Sequence, residues 1–278
     1  MANELEEANR SDRWSPPAPT LFISHGAPSV ILDDPEFVAA LRGFASRLPK
    51  PRAVILMSAH WESDTSVRLT ARDPSKTIHD FGGFDRQLYS LHYPAPGDPE
   101  LSRRIVSILE DASIDAAVDD SRGLDHGAWI PLLMLYPDAD VPVIELSLPR
   151  PRSVDLVRRI GRALAPLRDE GMMLIGSGGV VHNLSEIRFS SHPAVSEWAR
   201  RFDDWVWRCI RTRDFDELGQ YRNAAPTADL AVPTTEHFDP IFFTVGTSRD
   251  EEQEMLIFEG FRFGNLSMRS FAFQAPKM

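Results

Sequence analysis

Short runs of consecutive apolar residues alternate along the chain with longer segments in which apolar residues recur every three or four positions. Four of the short runs contain β-branched residues and are bounded by Gly, Pro or polar residues; they cover 21–24, 53–59, 141–148 and 171–178. Such runs are typical of strands that are buried on both faces of a parallel sheet. The segment 67–72 is a further candidate strand, and the alternating segment 256–274 predicts a terminal β-hairpin.

The segments between these runs have the spacing of amphipathic helices. In 33–49 the apolar residues recur at helical spacing, and Asp34 before Pro35 provides an N-cap followed by proline at the first helical position. The same spacing predicts helices in 99–112, 151–170 and 192–221. Strands that alternate with helices indicate an α/β fold with a central sheet, mostly parallel or mixed, flanked by helices.

We expect one folded domain preceded by an arm. Residues 1–19 are rich in acidic residues and end in several prolines, which predicts a flexible N-terminal arm, whereas 20–278 contains no repeat or linker that would divide it. The segment 74–100 is rich in Gly, Pro and aromatic residues. Because a loop of this length is more often functional than a plain connection, we interpret it as a candidate lid.

Composition and charge narrow the classes of partner. The 278 residues include 30 Lys and Arg against 41 Asp and Glu, a formal net charge of −11, which disfavours nucleic acid and anionic membranes. The single cysteine, Cys209, cannot form an intrachain disulfide and excludes a site built from several thiolates. The N-terminus lacks the pattern of a signal peptide, and no apolar stretch approaches the ~18 residues of a membrane span. A cytoplasmic protein with small-molecule or protein partners is therefore expected, and a homo-oligomer stays open.

Three histidines, His25, His60 and His182, each follow closely after a predicted strand. Since ligands of open α/β sheets bind beyond the carboxyl ends of the strands, these side chains are expected at one edge of the sheet. His126 and His237 also lie in unusual settings, within GLDHGAW and TTEHFDP. Neutral imidazoles bind divalent first-row metals, so a metal site is one interpretation. The alternative is five separate histidines with capping and packing roles.

Six segments in order along the chain carry a resemblance to a known family. They are FISHGAPS, MSAHWES, IHDFGGFDRQLYSLHYPAPGDPEL, GLDHGAWIPLLMLYPDADVPVIELSL, IGSGGVVHNL and EHFDPIFFTVG. Together they resemble the class III extradiol ring-cleavage dioxygenases, and most of all the branch of the 4,5-DOPA extradiol dioxygenases, which is related to the catalytic subunit of protocatechuate 4,5-dioxygenase. The likeness extends from about Thr20 to the C-terminus, so 20–278 is expected to be the catalytic domain.

The resemblance implies a role for each of the five histidines. It assigns His25, His60 and His237 as metal ligands, although a shift of one residue would make Glu236 the third ligand instead. It makes His182 the acid–base residue, close enough to the metal to become a fourth ligand if zinc is bound. His126 matches a further active-site histidine that contacts either the substrate or dioxygen.

The same resemblance implies a function. Fe(II) would be the working metal, a DOPA-like catechol and dioxygen the substrates, and zinc an occupant of the site in a purified sample. Alternative functions are a zinc-dependent hydrolase on the same scaffold and a metal-binding protein with a degenerate site. Three aromatic residues of the candidate lid are candidates for stacking on an aromatic substrate, and the alternative is ordinary packing within the loop: Phe81, Phe84 and Tyr89.

Overall fold

Eight strands form one mixed sheet at the centre of the computed structural model, which describes residues 17–189 and 193–276. The order across this sheet is β4-β3-β5-β2-β6-β1-β10-β7, and β8 and β9 form a separate small hairpin. The strands are β1 Thr20–Ser24, β2 Ala53–Asp64, β3 Val67–Thr70, β4 Ala116–Asp119, β5 Val143–Arg150, β6 Met172–Gly178, β7 Gln253–Phe258, β8 Phe261–Arg262, β9 Leu266–Ser267 and β10 Ser270–Gln274.

The four apolar runs of the sequence are the four central strands. β5, β2, β6 and β1 lie side by side and parallel, so their carboxyl ends share one edge of the sheet. On either side of them, β3 and β10 run antiparallel to their inner neighbours. The predicted α/β fold class and the C-terminal hairpin are confirmed, because β7 and β10 pair antiparallel and extend the main sheet.

Helices cover both faces of the sheet. They are α1 Val30–Asp33, α2 Pro35–Ala45, α3 Arg86–Ser90, α4 Pro99–Asp111, α5 His126–Leu135, α6 Val154–Leu164, α7 Glu197–Thr212, α8 Phe215–Gly219, α9 Tyr221–Ala224, α10 Ala228–Ala231 and α11 Pro240–Thr247. Leu21 and Ile23 of β1 belong to the hydrophobic core under α2 and α5, whereas Phe22 belongs to the core under α4, α6 and α11. Successive strand residues therefore enter opposite cores, which explains why the runs are continuously apolar.

Helix α2 begins as the sequence predicts. Asp34 is its N-cap, and the side chain accepts a hydrogen bond of 3.1 Å from the backbone N–H of Phe37, while Pro35 occupies the first turn. Phe37, Leu41 and Phe44 are buried against the sheet. The cap, the proline and the apolar stripe thus specify this helix from local sequence alone.

The structure differs from the sequence-based prediction at several element boundaries. β2 continues to Asp64, beyond the predicted end at Ala59, and its register with β5 shifts between Met57 and Glu62, so that His60 lies within the strand. The predicted helix over 151–170 ends as α6, followed by a 3₁₀ helix over Ala165–Glu170. The described part of 192–221, for which one or two helices are expected, contains α7 and α8, and α9 begins only at its last residue. These boundaries depend on tertiary contacts, which local periodicity does not encode.

Two predictions concern the N-terminus and membranes. Most of the predicted arm, 1–16, lies outside the described residues. Ala18 is already buried, donating a backbone hydrogen bond to the Arg168 carbonyl and accepting one of 2.7 Å from its guanidinium.

Within 17–189 and 193–276, no helix combines the length and apolar character needed to cross a bilayer.

Candidate metal centre

The three histidines predicted as metal ligands converge at the carboxyl edge of the central strands. His25 directly follows β1, and His60 lies near the end of β2. His237 lies three residues before α11. The Nε2 atom of His60 is 3.0 Å from the Nε2 of His25 and 3.3 Å from the Nε2 of His237. The structure therefore brings together side chains that are far apart in the sequence.

A serine of β6 fixes the tautomer of His25. The Ser177 hydroxyl donates its proton to the Gly127 carbonyl, with an Oγ–O distance of 2.5 Å. The same Oγ lies 2.9 Å from Nδ1 of His25, so towards the ring it can act only as an acceptor. His25 therefore carries its proton on Nδ1, and its Nε2 presents a lone pair to His60.

A carboxylate fixes the tautomer of His237 in the same way. Oε1 of Glu236 lies 3.1 Å from Nδ1 of His237 and accepts a further hydrogen bond of 2.8 Å from Thr234. Burial raises the pKa of Glu236, but the hydrogen bonds from His237 and Thr234 outweigh it and lower that pKa to about 2. The ionised carboxylate accepts a hydrogen bond from Nδ1–H of His237, so the proton of the neutral ring is on Nδ1 and Nε2 carries the lone pair. Orientation of a metal-binding imidazole by a carboxylate behind it is a common arrangement.

The cluster fits a divalent cation. Ligand nitrogens held ~2.1 Å from one ion are separated by about 3.0 Å in octahedral and about 3.4 Å in tetrahedral geometry, which brackets the observed spacing. Burial, and then the neighbouring imidazoles, lowers the pKa of His25 well below its usual range. Burial together with His126 and His237 lowers the pKa of His60 to about 3. A neutral imidazole offers a ring-nitrogen lone pair to a metal, so a cation between the three rings would bind to all of them.

His182 lies against the outer side of this cluster. Its ring stacks on that of His237 with centroids 3.5 Å apart and planes 7° apart. Its backbone N–H donates to the carbonyl of Ala231, which holds the segment after β6 in place. Burial and the neighbouring His237 lower the pKa of His182 to about 2, so the ring is neutral and can accept a proton. This value is far below the near-neutral pKa expected of an acid–base residue; an anionic group bound beside the ring would raise it, because it stabilises the imidazolium.

His126 occupies the first position of α5 and faces His60. The helix is capped by Asp125, whose carboxylate accepts from the Ala128 N–H and pairs with Arg122 at 3.1 Å. The rings of His126 and His60 have centroids 3.9 Å apart. Asp80 of the candidate lid binds His126 twice, through its backbone N–H and through Nδ1, both at 2.9 Å.

The aromatic residues of the lid form two layers over the cluster. The Phe81 ring meets the His126 ring edge to face, with centroids 5.7 Å apart. Phe84 and Tyr89 contact Phe81, at 5.7 and 5.2 Å respectively, and Tyr89 is 39% exposed. Of the three, Phe81 therefore lies nearest to the histidines, and the other two support it from outside.

The glycines of the β6 segment let the His237 segment pack directly on the strand. A Cβ on Gly178 would lie 2.0 Å from the His237 carbonyl oxygen, and one on Gly176 would lie 2.2 Å from that of Pro240. The Gly179 N–H donates to the His237 carbonyl at 2.7 Å. Only glycine permits this close approach, which sets the distance between β6 and His237.

A partly buried arginine, Arg152, links the strand of His60 to the segment of His237. Arg152 donates to Glu62, two residues after His60, with an N–O distance of 2.6 Å. It also binds Asp239, two residues after His237, and only 11% of its side chain is exposed. This ion-pair network connects two of the predicted ligands through their neighbours.

Replacement of Arg152 by methionine is expected to lower the free energy of unfolding by about 3–5 kcal/mol, because it leaves Asp239 buried without its partner. It should also weaken metal binding, but by less than the about 10- to 100-fold that loss of a direct partner of a metal ligand costs, because Arg152 holds the neighbours of His60 and His237 and not the ligands themselves. Denaturant titration and metal titration measure the two effects. Arg150→Met is the matched control, since Arg150 pairs with the same Glu62 from an exposed position and should cost about 1 kcal/mol or less. Equal effects of both changes would contradict the role of Arg152.

Sequence reasoning did not single out four residues that shape this centre: Asp80, Ser177, Arg152 and, as a partner of His237, Glu236. A polar residue inside an apolar strand, such as Ser177, is a signal that was available in the sequence. The partner of Arg152 lies 87 residues away, and no local pattern indicates it.

Comparisons with known proteins agree with the family resemblance found in the sequence. Residues 19–271 match the family described as catalytic LigB subunit of aromatic ring-opening dioxygenase. A 4,5-DOPA dioxygenase extradiol from Beta vulgaris is 38% identical, covering 91% of this chain and 96% of that protein. A protein of the same description from Escherichia coli K12 is 37% identical, covering 91% and 93%. The crystal structure of an uncharacterized Escherichia coli K12 protein superposes with a TM-score of 0.80 at 33% identity, covering 92% of this chain and all of that chain.

Proposed function

The chain belongs to the family of catalytic subunits of aromatic ring-opening dioxygenases, and on this basis we propose that His25, His60 and His237 hold Fe(II) for the cleavage of a DOPA-like catechol. The resemblance found in the sequence is thereby confirmed, and the protein is an extradiol ring-cleavage dioxygenase, an oxidoreductase that incorporates dioxygen. One observation carries the assignment of the metal site. The Nε2 atom of His60 lies 3.0 Å from that of His25 and 3.3 Å from that of His237, and ligand atoms of all three lie within 4.8 Å of one another. The tautomers of His25 and His237 are fixed by Ser177 and Glu236.

Fe(II) is the working metal in this proposal. When bound, Fe(II) supplies the one-electron chemistry through which dioxygen and the aromatic ring react. Histidine sites bind zinc more tightly than Fe(II) by the general affinity order, so zinc in a purified sample would say little about the working ion. Glu236 points to Nδ1 of His237, which makes it the outer partner of that ligand and favours His237 over Glu236 as the third ligand.

The relatives and the lid support the proposed substrate class. Four of the similar proteins are described as 4,5-DOPA extradiol dioxygenases. In this chain the Phe81 ring, backed by Phe84 and Tyr89, offers an apolar face beside His126. An aromatic ring that binds beside the predicted metal ligands would contact the Phe81 ring while its hydroxyls point to those ligands.

The chain supplies groups that move protons. A catechol loses hydroxyl protons as it binds to a metal and regains a proton as the ring opens. His182 is neutral and lies beside His237, so it can accept the first proton. The negative charge left on the substrate raises the pKa of His182, which lets the ring hold that proton until it is returned to the product. Such positioned proton transfer typically contributes about 10²- to 10⁴-fold to the rate.

Metal-free protein reloaded with Fe(II) under nitrogen is expected to consume dioxygen when DOPA and then air are added. A yellow ring-opened product should carry both atoms of isotopically labelled dioxygen, which mass spectrometry measures. The zinc-loaded protein is the control and should consume none. Absence of uptake by the iron-loaded protein across a panel of catechols would contradict the proposed substrate class.

A further inference from the structure

The contact between the lid and helix α5 runs through one carboxylate, that of Asp80. Its Oδ1 accepts from the backbone N–H of His126, and its Oδ2 lies 2.9 Å from Nδ1 of the same residue. His126 is buried, with 6% of its surface exposed, whereas the Asp80 side chain is 23% exposed. The Asp80 carboxylate is thus hydrogen-bonded to both the main chain and the ring of His126.

This double contact decides where the proton of a neutral His126 resides. The backbone N–H can only donate, so Oδ1 accepts its hydrogen bond and Oδ2 faces the ring. An ionised carboxylate can only accept, so Nδ1 must carry the proton. Nε2 then carries a lone pair, on the side of the ring away from Asp80.

Resting on the function proposed above, we propose that Asp80 is a positioning residue that holds His126 in the Nδ1–H tautomer, with Nε2 as an acceptor for a substrate hydroxyl. A lone pair at Nε2 accepts a hydrogen bond from a catechol O–H, but it has no proton to donate to dioxygen. The sequence left open whether His126 contacts the substrate or dioxygen. The Asp80 contact selects the substrate hydroxyl.

His60 is the competing target of the same carboxylate. Oδ2 of Asp80 is 3.7 Å from Nδ1 of His60, a distance at which ions attract but no hydrogen bond forms. A role through His60 would be a role in metal binding, because His60 is an assigned ligand. If Asp80 acts through His126, its replacement leaves the metal bound and changes only which nitrogen of His126 can accept a hydrogen bond. Metal content therefore separates the two.

The substitution Asp80→Asn tests the proposal. The amide oxygen must still face the His126 N–H, since the amide NH2 cannot accept from it. The amide nitrogen therefore takes the place of Oδ2 and donates to Nδ1, which moves the ring proton to Nε2. In catalytic triads the same carboxylate-to-amide change inverts the histidine tautomer and lowers kcat by about 10⁴-fold.

Two measurements are made on native and variant protein. Nitrogen NMR of isotopically labelled imidazoles in the zinc-loaded protein, where the ion is diamagnetic, reports which nitrogen of His126 is protonated; His126→Gln identifies its signals. Steady-state kinetics of the iron-loaded protein should show kcat/KM lowered by about 10²-fold or more, because the substrate hydroxyl loses its acceptor at Nε2. Asp85→Asn is the matched control, because Asp85 lies in the same lid, caps α3 from an exposed position and should change neither measurement.

The outcomes are distinct. Inversion of the His126 tautomer with metal content retained supports the proposal. An unchanged tautomer overturns it, and so does loss of metal without inversion, since Asp80 would then act through His60. If the native protein cleaves no catechol yet the tautomer inverts in Asp80→Asn, the proposed function fails while the positioning role of Asp80 stands.

Discussion

Replacement of His60 by alanine is expected to remove metal binding and, with it, all ring cleavage. His60 is the central member of the cluster, since its Nε2 lies 3.0 Å from that of His25 and 3.3 Å from that of His237. Loss of an outer partner of a metal ligand typically costs about 10- to 100-fold in affinity, and loss of the ligand itself should cost more. Metal content after dialysis and dioxygen uptake measure the result.

A stability measurement separates loss of the ion from loss of the fold. A metal present at 100 times its dissociation constant stabilises a protein by about 2.7 kcal/mol, which raises the Tm. The native protein should show this rise on addition of metal, and His60→Ala should not. His79→Ala is the control, because His79 lies in the lid and bonds to the Leu91 carbonyl, outside the cluster. Stoichiometric metal in His60→Ala would remove the basis of the site assignment.

Replacement of His182 by alanine is expected to lower kcat by about 10²- to 10⁴-fold while the metal stays bound. The reason is that His182 stacks on His237 from outside and does not share the short Nε2 contacts of the three ligands. Metal analysis and single-turnover kinetics of the iron-loaded protein measure the two quantities.

His182→Ala removes both the ring that stacks on His237 and the nitrogen that accepts a proton, so a second variant is needed to separate the two effects. His182→Phe keeps an aromatic face on His237 but carries no nitrogen, so it should bind metal like the native protein and be as slow as His182→Ala. If both variants release the metal, His182 is a fourth ligand, as the sequence allowed for a zinc-bound site. If His182→Phe is fully active, the proton-transfer role is wrong.

Much of this architecture was predictable because burial leaves a local trace in the sequence. The central strands are continuously apolar, since their residues enter the cores on both faces of the sheet. Helix α2 carries its own cap, proline and apolar stripe. Helices α5 and α11 were not predicted, because they are buried nearly all round and have no polar face to mark their period.

The histidines of the centre were predictable as residue types, and their family resemblance assigned them roles. Their partners were not. Asp80 reaches His126 across 46 positions, and Ser177 reaches His25 across 152. Neither contact has a periodic or local signature, because each depends on which strands and loops become neighbours in the sheet.

The sequence by itself determined the α/β alternation, the strands that form the centre of the sheet, and the presence of histidines at their carboxyl ends. The tertiary structure alone decided that His60 lies between His25 and His237, that Ser177 and Glu236 stand behind those two rings, and that Asp80 contacts His126. The physical reason is that burial acts on each short segment separately, whereas hydrogen-bond direction and ligand spacing are properties of several chain segments held together.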